Sequence, residues 1–416
     1  MDECKRERII ATVCLTIIEG FVANYLRRLK ILNFSGFWFQ FLTIVAPVGF
    51  LYFINFYLLS LPTLRIVFAL LDLLGCYKRK AKRYNAYILD CANWITNLDV
   101  KWGPIASATE AENANTCEGL IALKLANLDK TFEEIYDDIW GDLLERASSQ
   151  GLISKSLGFE TVVCTSMLLY LCSLEKDRLN KSQKQKVDGI AKYLWEVRTK
   201  QGWGVYVEKI RQNECVNANS FWALRALNLY GYSSQREYRK LLKQIYGMSA
   251  NSLFGYTNGD EPRLSTTAMA IVLYYELPSS IQQDLSKIFS VKKAISFVEK
   301  KFCKEKIEFE TEILYGIDRK SKGPKKSPWN HIAVSWVSAA IVAAYFHKDI
   351  NSVTLRGFLH RIDSICEDRI HYISDNGGNC YYLPKGSPTN SRDIPMYPTC
   401  YLMYGLTNLV KLSSLR

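Results

Sequence analysis

WGPIASATEAENANTCEGLIALKLANL, Trp102 to Leu128, reappears further along the chain as WGVYVEKIRQNECVNANSFWALRALNL, Trp203 to Leu229. Both copies open on Trp-Gly, pass through Asn-Ala-Asn followed by Thr or Ser, and close on an apolar Ala-Leu stripe. Chance rarely preserves two anchors in order, so the segment reads as an internal repeat. Weaker copies of its second half follow: TVVCTSMLLYL from Thr161, LSTTAMAIVLYY from Leu264, NHIAVSWVSAAIVAAY from Asn330 and YPTCYLMYGLTNLV from Tyr397. With Cys117, Cys164, Ser220, Thr267, Ser335 and Cys400 as register marks, the steps are 47, 56, 47, 68 and 65 residues. Each step holds one helix pair, with insertions late in the chain. From Tyr84 onward apolar residues recur at helical spacing and strand-like alternation is scarce. The expected fold is therefore all-α, an (α/α)6 toroid over residues 84–416 with six inner helices around a central cavity. An open solenoid is the alternative, because closure follows only from the count of six.

Most repeats place a glycine-aromatic turn ahead of the inner helix: Trp102-Gly103, Gly202-Trp203-Gly204, Phe254-Gly255-Tyr256, and Gly377-Gly378 with Tyr381. Glycine permits a tight reversal, and small residues at the next helix start let helices crowd around an axis.

The first 83 residues read differently. Thirty-four consecutive residues, Ile31 to Leu64, carry no charge, more than the roughly 20 apolar residues a membrane span needs. A second apolar stretch, Ile66 to Cys76, follows Pro62 and holds only Asp72. Arg27, Arg28 and Lys30 precede the unit, and the run KRKAKR, Lys78 to Arg83, follows it. Bases on both flanks predict a membrane helical hairpin with both ends in the cytoplasm, its basic run touching lipid headgroups. Residues 5–18 read as an amphipathic helix at the interface. The expected organisation is a membrane-associated region over 1–83 and a toroid over 84–416, the toroid in the cytoplasm.

Composition excludes several classes. The chain has 416 residues, 48% of them hydrophobic, which rules out gross disorder. Of its net charge of +12, more than half sits in the first 83 residues, with 12 bases against 5 acids, so no nucleic-acid partner is expected. Twelve cysteines lie no closer than eight positions apart, which offers no zinc or redox pair motif. The chain contains no P-loop, dinucleotide fingerprint or G-x-S-x-G elbow. Of four histidines, His331 alone sits at an inner-helix start, first as a core or cap residue and second as a general base.

RDIPMYPTCYLMYGLTNLV, Arg392 to Val410, resembles the closing repeat of protein prenyltransferase beta subunits, in the superfamily shared with terpenoid cyclases. Tyr397, Thr399, Cys400, Tyr401, Gly405 and Leu406 fit that family's pattern. The resemblance implies zinc ligands at Asn330, Ile332 and Pro398, none of which can bind the metal, so no metal and no cofactor are expected. The acid motif of the cyclases would fall on Arg263 to Ala268, where no acid stands, with Asp260 and Glu261 just upstream. DDIWGD, Asp137 to Asp142, imitates an aspartate-rich magnesium motif but reads as a solvated outer face.

Trp222, Thr267, Trp336, Tyr397, Thr399 and Tyr401 lie on the proposed inner helices and are expected to line the central cavity, while the resemblance implies an anion-binding loop of Arg319, Lys322, Lys325 and Lys326 ahead of the fifth inner helix. Two functions follow from it. One is a membrane-tethered enzyme, related to prenyltransferases or cyclases, for an isoprenoid, lipid-like or phosphorylated ligand. The other is a non-catalytic sensor or effector for a ligand or protein partner, signalling through the membrane segment. A glycosidase-like toroid would need two facing carboxylates, and among the acids near inner-helix starts, Glu112, Glu118, Asp260 and Asp393, spacing pairs none.

Overall fold

The computed structural model describes residues 62–98, 102, 112–154, 159–205, 215–317, 324–373, 378–384 and 394–414. The chain divides into two units, Met1–Lys78 and Arg79–Arg416, and the account below concerns the second. Helix α1 runs Pro62–Thr96, and six inner helices follow: α2 (Asn113–Leu125), α4 (Val162–Leu174), α6 (Asn217–Tyr230), α8 (Leu264–Glu276), α11 (Ala333–Phe346) and α13 (Tyr397–Val410). Between them lie the outer helices α3 (Glu133–Arg146), α5 (Lys181–Glu196), α7 (Arg236–Gly247), the pair α9 (Ser279–Leu285) and α10 (Val291–Glu299), and α12 (Ser352–Arg369).

Each inner helix packs on the next, and α13 packs back on α2, so the ring is closed. The sequence dictates which helix goes where. Inner helices are buried nearly all round, as in α8, where every residue from Leu264 to Tyr274 is inside. Outer helices bury one stripe; in α7 it is Tyr238, Leu241, Leu242, Ile245 and Tyr246, spaced by three and four. Small residues set the inner spacing. A Cβ on Gly405 would come within 3.0 Å of the Ser335 Cα, so α13 and α11 meet backbone to backbone there.

In four of the six repeats a hydroxyl fastens the turn to the inner helix after it. Thr165, Ser220, Thr267 and Thr399 accept hydrogen bonds from the backbone N–H of Leu152, Trp203, Phe254 and Tyr382, at 2.9–3.1 Å. Gly202, at φ +120°, needs its left-handed backbone and has no room for a Cβ, which would stand 2.3 Å from the Ser220 Oγ. The repeat tryptophans form a second latch. Trp102 and Trp203 are fully buried, and each indole N–H donates at 2.7 Å to a carbonyl near the end of the preceding outer helix, Ile95 in α1 and Leu194 in α5.

Two expectations are corrected. Strands appear in an otherwise helical ring: short ribbons β1–β2 (Ile153–Ser154, Phe159–Glu160) and β5–β6 (Ile370–Tyr372, Cys380–Tyr382), and a long antiparallel ribbon β3–β4 (Phe309–Ile317, Pro324–Ile332). The basic stretch expected as a loop thus includes strand residues, Lys325 opposite Gly316 and Lys326 opposite Tyr315. The membrane placement is the second. Among the described residues no helix is long and apolar enough to cross a membrane. The stretch Ile66 to Cys76, expected as an arm of a hairpin, belongs to α1, whose charges Arg65, Asp72 and Lys78 to Arg83 interrupt any apolar span. The rest of the expected hairpin and the amphipathic helix lie outside the described residues. Two bases of the run find protein: Lys80 and Arg83 both pair with Asp363 of α12, which accepts a 2.8 Å hydrogen bond from the Tyr84 hydroxyl.

Candidate functional site

The axis of the ring carries chemistry at two depths. Two residues beyond the Ser or Thr of the repeat stand Glu118, Trp222 and Tyr401; five residues beyond it stand Ile121, Tyr170, Arg225 and Tyr404. Helical periodicity explains the spacing, since residues three apart share a face and successive inner helices present the same face inward. Glu118, Ile121, Trp222, Trp336, Tyr401 and Tyr404 line a small cavity of about 20 Å³.

Glu118 is the acid of this cavity and is only 6% exposed. Burial pushes its carboxyl up to about 8; hydrogen bonding with Tyr401 opposes the rise and the neighbouring charge of Glu112 adds to it. Neither carboxylate oxygen has a hydrogen-bond partner of full geometry, although the Tyr401 hydroxyl is near enough to act on its titration. Tyr401 is itself raised well above its ordinary value, by burial first and then by Glu118. At neutral pH the site therefore holds a mostly protonated carboxylic acid among aromatic rings. Trp222 and Trp336 meet edge to face at 5.3 Å, and Trp336 lies 5.4 Å from Tyr404.

Below this layer a cation closes the axis. Arg225 is 1% exposed and pairs with Glu276 through Nε at 2.7 Å and Nη2 at 2.5 Å. Its guanidinium sits 5.1–5.9 Å from the ring centres of Tyr170, Trp222, Trp336 and Tyr404, and it donates to the Tyr404 hydroxyl at 3.2 Å. In sequence Arg225 looks like an ordinary helix charge; the only signal was that ALRAL falls at an inward position of the repeat.

The structure gathers Trp222, Trp336 and Tyr401 at the cavity. Thr267 and Thr399 are engaged in the turn latches, and neither lines it. Tyr397 lies beside the site, 6.5 Å from Tyr401 between ring centres, and its phenol is raised by burial and by Glu118. Arg319 and Lys322 lie outside the described residues, as does Asp393. Asp260 is a turn residue, accepting from the Thr257 N–H and hydroxyl at 2.8 Å. Asp137 is on the outer helix α3, paired with Arg178. At the place of the cyclase acid motif the start of α8 is capped by Glu310 of β3, which accepts from the N–H groups of Leu264 and Ser265 and the Ser265 hydroxyl at 2.7–2.8 Å. Among the described residues no three His, Cys, Asp or Glu come together as a metal site.

No family model matches this sequence, and no curated protein is similar to it in sequence. Solved structures are similar in fold. One is an inactive variant of a GH76 alpha-1,6-mannanase from Salegentibacter sp., with two aspartates replaced by alanine and in complex with alpha-1,6-mannotetrose. It has a TM-score of 0.52 and 12% identity, over 81% of this chain and 99% of that one. A second is a family 105 glycoside hydrolase from C. acetobutylicum, with a TM-score of 0.41 and 12% identity, over 71% and 92%.

The fold is thus an α/α toroid like that of the mannanase, and the resemblance to prenyltransferases and terpenoid cyclases is overturned. With it fall the isoprenoid, lipid-like or phosphorylated ligand and the membrane-signalling effector. The matching letters have a packing explanation: Thr399 latches the Tyr382 turn, and Gly405 admits the backbone of α11.

Proposed function

We propose that the protein binds and cleaves carbohydrate chains at the axial cavity, with Glu118 as the proton donor. The observation that carries this reading is a buried carboxyl, held mostly protonated near neutral pH, in a cavity walled by tryptophan and tyrosine. The apolar faces of sugar rings stack on aromatic side chains, which fits Trp222 and Trp336. A carboxylic acid with a raised pKa can protonate a glycosidic oxygen as the bond to the anomeric carbon breaks. A second carboxylate must then take a proton from the attacking water. Glu112, at the cap of α2, is the carboxylate whose charge acts on Glu118, and it is assigned that role. The oligosaccharide held by the mannanase supports the ligand class.

The test is reducing-sugar release from a panel of soluble mannan, xylan, glucan and pectin fragments, with binding followed by calorimetry. The wild type should cleave at least one, and Glu118→Gln should slow that cleavage by about 10²- to 10⁴-fold while still binding. A Gln variant with full rate, or a wild type that neither binds nor cleaves any of them, overturns the reading.

A further inference from the structure

The ring closes where the first and last parts of the toroid meet, and that seam holds two thiols. Cys91 of α1 and Cys380 at the start of β6 are both fully buried, 289 positions apart in the chain, with their sulfurs 3.5 Å apart. Contacts on either side fix the register of the two segments. The Asn93 side chain donates to the Gly378 carbonyl at 2.8 Å, and Trp94 lies 5.5 Å from Tyr381 between ring centres. Further along the same helix, Tyr84 bonds Asp363 of α12. The sulfurs need to close by only about 1.5 Å to reach bonding distance.

We propose that Cys91 and Cys380 form an oxidation site, a thiol pair that becomes a disulfide across the seam and locks the ring. The oxidant is a small disulfide such as oxidised glutathione. One thiolate attacks it and expels a thiolate, giving a mixed disulfide; the second protein thiolate then displaces the remaining small thiol. One protein disulfide forms, two small thiols leave, and the two electrons pass to the oxidant. The contact with Cys380, and then burial, raise the Cys91 thiol well above its ordinary value, so the closed ring is slow to react. Reaction proceeds when the β5–β6 ribbon lifts from α1. Ile373, exposed beside the end of β5, marks the ribbon's edge, and Tyr372, which hydrogen-bonds Asp90 of α1, must let go for the ribbon to lift.

The full chain, equilibrated with oxidised glutathione in dilute urea and then returned to buffer, is alkylated, digested without reductant and mapped. The expected product is a peptide pair joining Cys91 to Cys380, with an unfolding midpoint raised by on the order of 10 °C and restored by dithiothreitol. Cys380→Ala should show neither change on oxidation. If that variant fails to fold, the peptide map of the wild type decides alone. Separate alkylation of both thiols, persistent glutathione adducts, or linkage of either to another cysteine overturns the proposal.

Discussion

The two strongest copies of the repeat, 102–128 and 203–229, share the tryptophan latch and the helix register that build the ring, and differ where they face its axis. Trp102 and Trp203 make the same 2.7 Å indole hydrogen bond to the end of an outer helix. Asn113 to Thr116 and Asn217 to Ser220 open the two inner helices in the same register. From there the copies part: Glu118 stands where the other has Trp222, and Ile121 where the other has Arg225. The shared scaffold positions are held by backbone partners that both copies possess. Axial positions look at other helices, so each is free to differ, and function collects there.

The comparison breaks most sharply at the buried ion pair that only the later copy contributes. Glu276→Gln should cost about 3–5 kcal/mol, because it strands the Arg225 guanidinium without its partner, and Arg225→Met should cost less. The asymmetry follows from exposure: Arg225 is 1% exposed while Glu276, at 35%, can take water when left alone. Equal losses in denaturant melts would show that the pair is not the reason for the difference between the copies.

An effect of similar total size, spread over pH, belongs to the first copy. The folded protein keeps a proton on Glu118 up to about pH 8, while the unfolded chain releases it near 4.5. Between those values the folded state binds the extra proton, so this contribution to stability falls as pH rises and levels off above 8. Against Glu118→Gln, the wild type should lose about 1.4 kcal/mol per pH unit across that window. Parallel stability curves for the two proteins would mean that Glu118 titrates as a solvated acid.

The smallest effect tests what the copies share. Trp102→Phe and Trp203→Phe should each cost about 1–2 kcal/mol, within error of each other, because each strands one buried carbonyl and removes one buried N–H. Thermal melts with a clear difference between the two would show that the latches are not equivalent.

The repeat, the helix pairs and the count of six were legible because they rest on local periodicity and on short recurring letters. Trp222, Trp336 and Tyr401 were legible for the same reason. Thr267 and Thr399 lie only a few positions from axial residues, but a helix turns about 100° per residue, so they fasten turns instead. The raised Glu118 carboxyl and the burial of Arg225 depend on neighbours brought in by other helices, such as Tyr401 and Glu276, which spacing along one helix cannot reveal. The long ribbon does carry a local signal: FETEI, Phe309 to Ile313, alternates apolar or neutral with acidic residues in the period of a strand.

The seam between the ends of the ring also sets a timetable for synthesis. Helix α1 is among the first parts of the toroid to leave the ribosome, yet its partners at Asp363 and Cys380 are among the last. At roughly 5–20 residues per second, the 289 positions between Cys91 and Cys380 take about 15 to 60 seconds to translate. For that interval the inward face of α1, with Tyr84, Ile88 and Trp94, lacks the partners that cover it in the finished ring. A nascent chain of this design therefore spends most of its birth with an apolar helix waiting for its other end, which is the situation in which chaperones are recruited.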